Sequence, residues 1–260
     1  MFKDSIIVIT GASSGLGRET ALLFSEKGAL TILLARNREK LDGLKKEIEK
    51  SNGRSDCFCL DVGDTDQVAS VFGKIIAKYQ RIDVLINCAG FGKFEYVVSS
   101  KTDDIKNMFE VNVIGLIACT QAVLPQMISR GHGQIVNIAS IAGKIATPKS
   151  AVYSASKNAV IGFSNGLRLE MEQNGVFVTV INPGPIRTPF FKVADPDGVY
   201  TANIGRFMLD ARYVAERILE AVIRKKREIN LPWYMGVGAW LYQLWPWAVE
   251  KISGRWFTLK

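Results

Sequence analysis

The sequence is poor in the residues from which metal centres and disulfide frameworks are built. It holds one histidine, His132, and four cysteines, Cys57, Cys59, Cys88 and Cys119. The histidine lies in Gly131-His-Gly133, a turn, and reads as a surface loop residue with no part in catalysis. The cysteine spacings contain no C-x-x-C pair, and three of the four fall in apparent strands or a helix. Buried thiols in a reducing compartment are expected, and no metal site. No stretch rich in proline, glycine or serine, no repeat and no low-complexity block divides the 260 residues. One large α/β domain is therefore expected. The N-terminus, MFKDSIIVIT, runs straight into a strand without a signal peptide, so the expected location is cytoplasmic. The net charge is +8, but the basic residues form no aromatic-interleaved groove and no nucleic-acid-binding motif. An anionic cofactor or an anionic membrane surface answers to that charge more economically.

What is present begins with a strand, a glycine loop and a helix. The apolar run Ser5–Thr10 leads into Gly11-Ala-Ser-Ser-Gly15-Leu16-Gly17, and a helix follows to about Lys27. Glycines let backbone turn tightly and approach a pyrophosphate, which sits at a helix N-terminus. A tight strand-to-helix turn with no ligand has the same residues, so the loop needs support from elsewhere in the chain. Some comes from the second strand, Leu30–Ala35. Arg36 lies nineteen residues after Gly17, where an NAD site places an acid on the ribose and an arginine accommodates a 2′-phosphate. The acid is missing, Arg36 is present, and Ser13 and Ser14 could add hydroxyl donors. The bland alternative for Arg36 is a surface charge at a basic helix start.

The chain's centre of gravity is Asn137–Ile161. Tyr153 and Lys157 are four apart, and Val152, Ala155, Ala159, Val160, Phe163, Leu167 and Met171 recur at helical spacing over Ser150–Met171. Residues at i and i+4 share a helix face. An ammonium beside a phenol favours the phenolate and lowers its pKa toward neutrality. Ser140 lies thirteen residues upstream at a strand end, where a hydroxyl can face a ligand crevice. A solvated helix pair is the alternative for Tyr153 and Lys157. Further strands are expected over Ser55–Leu60, Ile82–Asn87 and Val176–Asn182, and Met108–Arg130 reads as one long helix carrying Asn112. The segment Phe190–Met208 reads as a mobile lid.

Together these residues resemble the short-chain dehydrogenase/reductase family across about residues 5–231. The matching motifs are Thr10-Gly11-x-x-x-Gly15-x-Gly17, Asp61, Asn87-x-Ala89-Gly90, Asn112, Ser140, Tyr153-x-x-x-Lys157 and Pro183-Gly184. Cys88 stands where the family usually has a second Asn. The resemblance implies a doubly wound parallel sheet of Rossmann type, with strand order 3-2-1-4-5-6-7 and helices on both faces, and a homodimer or homotetramer. It implies Tyr153 as general acid, Ser140 as polarising donor, Lys157 on the nicotinamide ribose and Asn112 on a relay water. Asp61 and Val62 would meet the adenine. Asn87, Ala89 and Gly90 would line the adenine-side ribose, and Ile186 and Thr188 would clamp the carboxamide. The function it implies is hydride transfer between NADP(H) and a small-molecule carbonyl or alcohol. Reduction of 3-oxoacyl thioesters is the runner-up, and an NADPH-sensing module or a membrane-associated scaffold lies outside that class.

The expected domain ends near Leu231, with a lid over about 189–209, and residues 232–260 form an extension. All five tryptophans lie there: Trp233, Trp240, Trp245, Trp247 and Trp256. Ile229–Val249 carries no charge, with Arg224–Arg227 before it and Lys251, Arg255 and Lys260 after. Pro232, Gly236, Gly238, Gln243 and Pro246 interrupt the run, which favours an interfacial helix over a true span. Packing on the substrate pocket or on a second subunit is the alternative. The apolar tail leans the expected substrate toward a lipophilic carbonyl compound.

Overall fold

The computed structural model describes residues 2–257, with side chains as far as Lys251. The readings placed on Trp256 and Lys260, and on the side chain of Arg255, lie outside what is described.

Seven parallel strands form one sheet in the order β3-β2-β1-β4-β5-β6-β7. They are β1 (Ile6–Thr10), β2 (Leu30–Ala35), β3 (Arg54–Cys59), β4 (Val84–Asn87), β5 (Gly133–Ile138), β6 (Val176–Pro183) and β7 (Glu228–Leu231). The central strands β1, β4 and β5 are buried at every residue, which is why they read as largely apolar runs, with the buried Asn87, Gln134 and Asn137 held by hydrogen bonds. The edge strand β3, Arg-Ser-Asp-Cys-Phe-Cys, is mixed in both polarity and burial. This is the expected Rossmann-type fold in a single domain.

Helices cover both faces. On one lie α1 (Gly15–Glu26), α2 (Arg38–Lys50) and, from further along the chain, α9 (Ala211–Arg224), with Leu16, Phe24, Leu41 and Ile218 in the core. On the other lie α3 (Thr65–Tyr79), α5 (Gly115–Arg130) and α6 (Ala151–Glu170), with Phe72, Ile75, Val123 and Leu167. Capping residues mark several starts. Asn37, Asp64 and Asp210 each accept the backbone N–H three residues on, in α2, α3 and α9.

The expected single helix over Met108–Arg130 is longer and is not regular. It begins with α4 (Thr102–Phe109), passes through a π-helical turn at Glu110–Ile114, and continues as α5. Within the π turn the Gly115 N–H bonds to the Glu110 carbonyl, five residues back. The run Thr102–Arg130 is long and apolar enough to cross a membrane. Its Cys119, Val123 and Met127, however, are fully buried in the core against the sheet.

The C-terminal ends of the strands all face one edge. There lie α7 (Phe191–Ala194) and α8 (Val199–Ile204), and beyond β7 come α10 (Trp233–Leu244) and α11 (Pro246–Phe257). Because β7 runs from Glu228 to Leu231, the basic cluster Arg224–Arg227 sits at its opposite, N-terminal end. That cluster is therefore separated from the start of the tail by the length of β7.

Candidate active site

The sheet order reverses between β1 and β4, and open α/β sheets bind ligands outside the strand ends at such a point. A cavity of about 1050 Å³ opens there. One end is built from backbone. Gly11 and Gly15 adopt positive φ of 69° and 54°. A Cβ at Gly11 would lie 2.8 Å from the Ala89 Cα, and one at Gly17 would lie 2.3 Å from the Gly11 carbonyl oxygen. Side chains are thus excluded from this wall, and a ligand can lie against peptide groups. The N-cap of α1, Ser14, makes no side-chain capping bond, and no acid stands in its first turn. Those free N–H groups suit a phosphate, so the cradle fits a dinucleotide.

Of the residues expected from the sequence, Gly11, Ser13, Ser14, Gly15, Leu16, Gly17, Arg36, Asp61, Val62, Ala89, Gly90, Pro183, Gly184, Ile186 and Thr188 line the cavity. Ser140, Tyr153 and Lys157 line it too. Thr188 packs over Gly15, closing the loop after β6 onto the glycine loop. Arg36 is largely exposed and lies 3.8 Å from the Asp61 carboxylate.

Two expected residues do not reach the wall. Asn87 is buried and donates to Thr120 (3.1 Å) and to Asn137 (2.9 Å), which occupies its side-chain amide within the core. Asn112 is fully buried behind Gly90. Its amide accepts from Phe91 N (2.9 Å) and donates to Phe91 O (2.8 Å) and to Ser156 Oγ (3.1 Å). It therefore fixes the Gly90–Phe91 loop, which stands directly before Lys157.

Ser140 ends the β5 segment and caps the following turn, accepting from Ala142 N at 3.1 Å and donating to Pro183 O at 3.3 Å. Lys157 donates to Ile138 O at 2.8 Å, and its Nζ lies 6.0 Å from the centre of the Tyr153 ring. The expected lowering of the phenol pKa is not met in this state. Burial pushes Tyr153 up to about 12, the Ser140 hydroxyl pulling the other way. Burial also draws Lys157 down to about 8. Desolvation sets the direction for the phenol, while the Lys157 ammonium is engaged by the Ile138 carbonyl. The pair accordingly holds a protonated phenol at neutral pH.

The other end of the cavity is aromatic. Tyr153 stands between Phe94 and Phe190, at ring-centre distances of 5.8 and 5.7 Å. Phe191 and Tyr200 complete the group. A Cβ at Gly92 would lie 2.9 Å from Phe190 and 3.0 Å from Tyr153, so the chamber wall closes only over a glycine. The segment expected as a lid is packed down: Phe94 N donates to Ala194 O at 2.9 Å, and Phe191, Ala194 and Ile204 are buried. The tail supplies Tyr234, Met235, Gly238 and Val249. Sequence reasoning missed these, along with Phe94 and Lys40. Lys40 had a signal, being four residues after Arg36 on the same basic helix start. The tail residues had none, since nothing in their spacing says which face meets the cavity.

Comparison with known proteins agrees with this geometry. The family profile described as short chain dehydrogenase matches residues 5–197. Dehydrogenase/reductase SDR family member 7B of Danio rerio is 34% identical over 258 residues, covering 94% of this chain and 82% of the relative. The 3-oxoacyl-(acyl-carrier-protein) reductase of Thermotoga maritima is 40% identical over 187 residues, covering 72% and 76%. The structure of a short-chain dehydrogenase from Sphingobium yanoikuyae in complex with NADPH superposes with a TM-score of 0.80 at 26% identity, covering 92% of this chain and 94% of that one. The profile spans more than half of the chain and the relatives exceed 30% identity over most of it, so the chain belongs to the short-chain dehydrogenase/reductase family of oxidoreductases.

Proposed function

We propose that this protein is an NADP(H)-dependent reductase of a lipophilic carbonyl compound. One observation carries the reading: Ser140, Tyr153 and Lys157 meet at the junction between a backbone-lined cradle and an aromatic chamber. The hydride comes from the nicotinamide, and the protein contributes geometry and electrostatics. Tyr153, held protonated, donates its proton to the carbonyl oxygen, and Ser140 donates a second hydrogen bond to the same atom. Lys157, in its cationic form, favours the phenolate that remains and binds the nicotinamide ribose. Asn112 holds the loop before Lys157 and, in this reading, the water through which the proton is restored.

The preference for NADP(H) rests on the adenosine end of the cavity. Arg36 and Lys40 line it, Ala35 stands where an acid would meet the ribose, and Ser13 and Ser14 face the same space. The chamber of Phe94, Phe190, Phe191 and Tyr200 supports an apolar substrate. A homodimer or homotetramer in the cytoplasm, touching a membrane through the C-terminal extension, completes the reading. Val97 and Val98 are exposed on the single chain and offer a subunit contact. The apolar outer face of α10 offers the membrane contact.

The test is an NADPH-consumption screen over ketones, aldehydes, ketosteroids, quinones and 3-oxoacyl thioesters. Turnover is expected on apolar ketones. Tight NADPH binding without turnover on any of them would overturn the reductase reading in favour of a sensing module. Reduction of 3-oxoacyl thioesters is the second reading, favoured by the likeness to the Thermotoga maritima reductase over 187 residues. A strong preference for acyl-carrier-protein substrates would select it.

A further inference from the structure

The helix α10 is apolar on both faces. Met235 and Gly238 face the cavity, and Ala239 is buried. On the outside Trp233, Val237, Trp240 and Leu244 form a stripe at i, i+4, i+7 and i+11, one face of a helix. That stripe is open: Trp233 is 74% exposed and Trp240 58%. A helix apolar all round belongs in a core or in lipid, and here, among the described residues, nothing covers one side. Tyr234 belongs to both environments, since it lines the cavity and is 50% exposed. The partition between the chamber and the outer stripe is thus a single helix thick.

We infer that the outer face of α10 and the adjoining start of α11 rest on an anionic phospholipid surface, and that the apolar substrate enters the chamber from that surface past Tyr234. The route rests on the reductase reading above; the surface does not. Three observations select lipid over a second copy of this chain. The exposed residues are rich in tryptophan, whose indole prefers the lipid–water boundary. No charged residue occurs in α10. The exposed Lys251 stands over the Trp247 ring at 5.8 Å, so a cationic residue adjoins an indole at the start of α11. Amphipathic surfaces of this composition partition by apolar burial together with lipid charge. The basic cluster at Arg224–Arg227 takes no part, because it lies at the far end of β7.

The experiment uses full-length protein and vesicles of phosphatidylglycerol and phosphatidylcholine carrying brominated acyl chains. Tryptophan quenching is expected with the anionic vesicles, weakening as salt rises. Trp240→Glu with Leu244→Glu places two charges on the stripe and should weaken vesicle binding by at least roughly tenfold. Neither residue lines the cavity, so turnover of a short, water-soluble ketone should be unchanged, which also reports that the variant is folded. Turnover of a long-chain analogue carried in the vesicles should fall in step with binding. Absence of quenching, or a variant that halves the sedimenting mass in solution, overturns the lipid surface in favour of a subunit contact. Quenching with undiminished turnover of the vesicle-borne ketone overturns the entry route and leaves the surface standing. Failure to reduce any ketone overturns the reductase reading and the route with it, while quenching still decides the surface.

Discussion

The two ends of the cavity are built by different means. At the cofactor end the wall is main chain, held by β1, β4 and the start of α1, and Gly11 and Gly17 approach neighbouring peptides too closely for any Cβ. At the substrate end the wall is side chain, contributed by segments near residues 94, 190–207 and 234–249. A cradle of backbone recognises what all dinucleotides share. A chamber of aromatic side chains on short helices can be reshaped residue by residue without touching the cradle. Tyr153, Ser140 and Lys157 stand at the seam.

Replacing Tyr153 with Phe tests the seam most severely. The ring stays between Phe94 and Phe190 and the proton donor is lost, so kcat should fall by at least roughly 10²-fold. NADPH affinity, measured by fluorescence titration, should change little. A matching loss of NADPH binding would show that the two ends are not separable there.

Lys157 tests the same seam through pH. Its folded pKa of about 8 lies below the ordinary 10.5, so burial disfavours its charged form. Between those values the unfolded chain binds the proton that the folded chain has lost, and stability without cofactor should rise with pH across that window. Below about pH 8 the penalty is fully present, worth about 3 kcal/mol. Urea unfolding between pH 8 and 9 should show this rise in the wild type and a flatter profile in Lys157→Met; above about pH 9 the buried Cys88 and Cys119, pushed up to about 12, oppose it.

Arg36→Ala addresses the cofactor end alone. NADPH binding should weaken by about 1.5–3 kcal/mol, the worth of a charged hydrogen bond, with NADH almost unaffected. Equal losses for the two cofactors would remove Arg36 from 2′-phosphate recognition.

A methyl group placed at each end gives the smallest and most direct contrast. Gly17→Ala drives a Cβ onto the Gly11 carbonyl and should cost about 1–3 kcal/mol of stability, with weaker NADPH binding. Gly238→Ala meets nothing within 4 Å and lies within a helix, so it should be neutral or stabilise by up to about 1 kcal/mol. Thermal melts of both variants make the comparison, and a loss at Gly238 equal to that at Gly17 would erase it.

The sequence by itself determined the fold and most of the cofactor end. Buried parallel strands are largely apolar runs, helix starts carry Asn37, Asp64 and Asp210 as caps, and a glycine required by close backbone approach can be nothing else. The spacing of Tyr153 and Lys157 is likewise a local property of one helix, and α6 was legible to within a residue at each end. Tertiary structure alone decided the rest, because the rest depends on which distant segments meet. It turned the Asn87 side chain toward Asn137, and put a π turn at Asn112 inside what reads as one regular helix. It set the direction of the phenol's pKa by burial, and engaged the lysine that local spacing brings near with the Ile138 carbonyl. It sent the basic cluster at Arg224–Arg227 to the opposite end of β7 from the tail. It also turned Met235 and Val249 inward and Trp233 and Trp240 outward. A helix apolar on every side carries no period from which its inner face can be read.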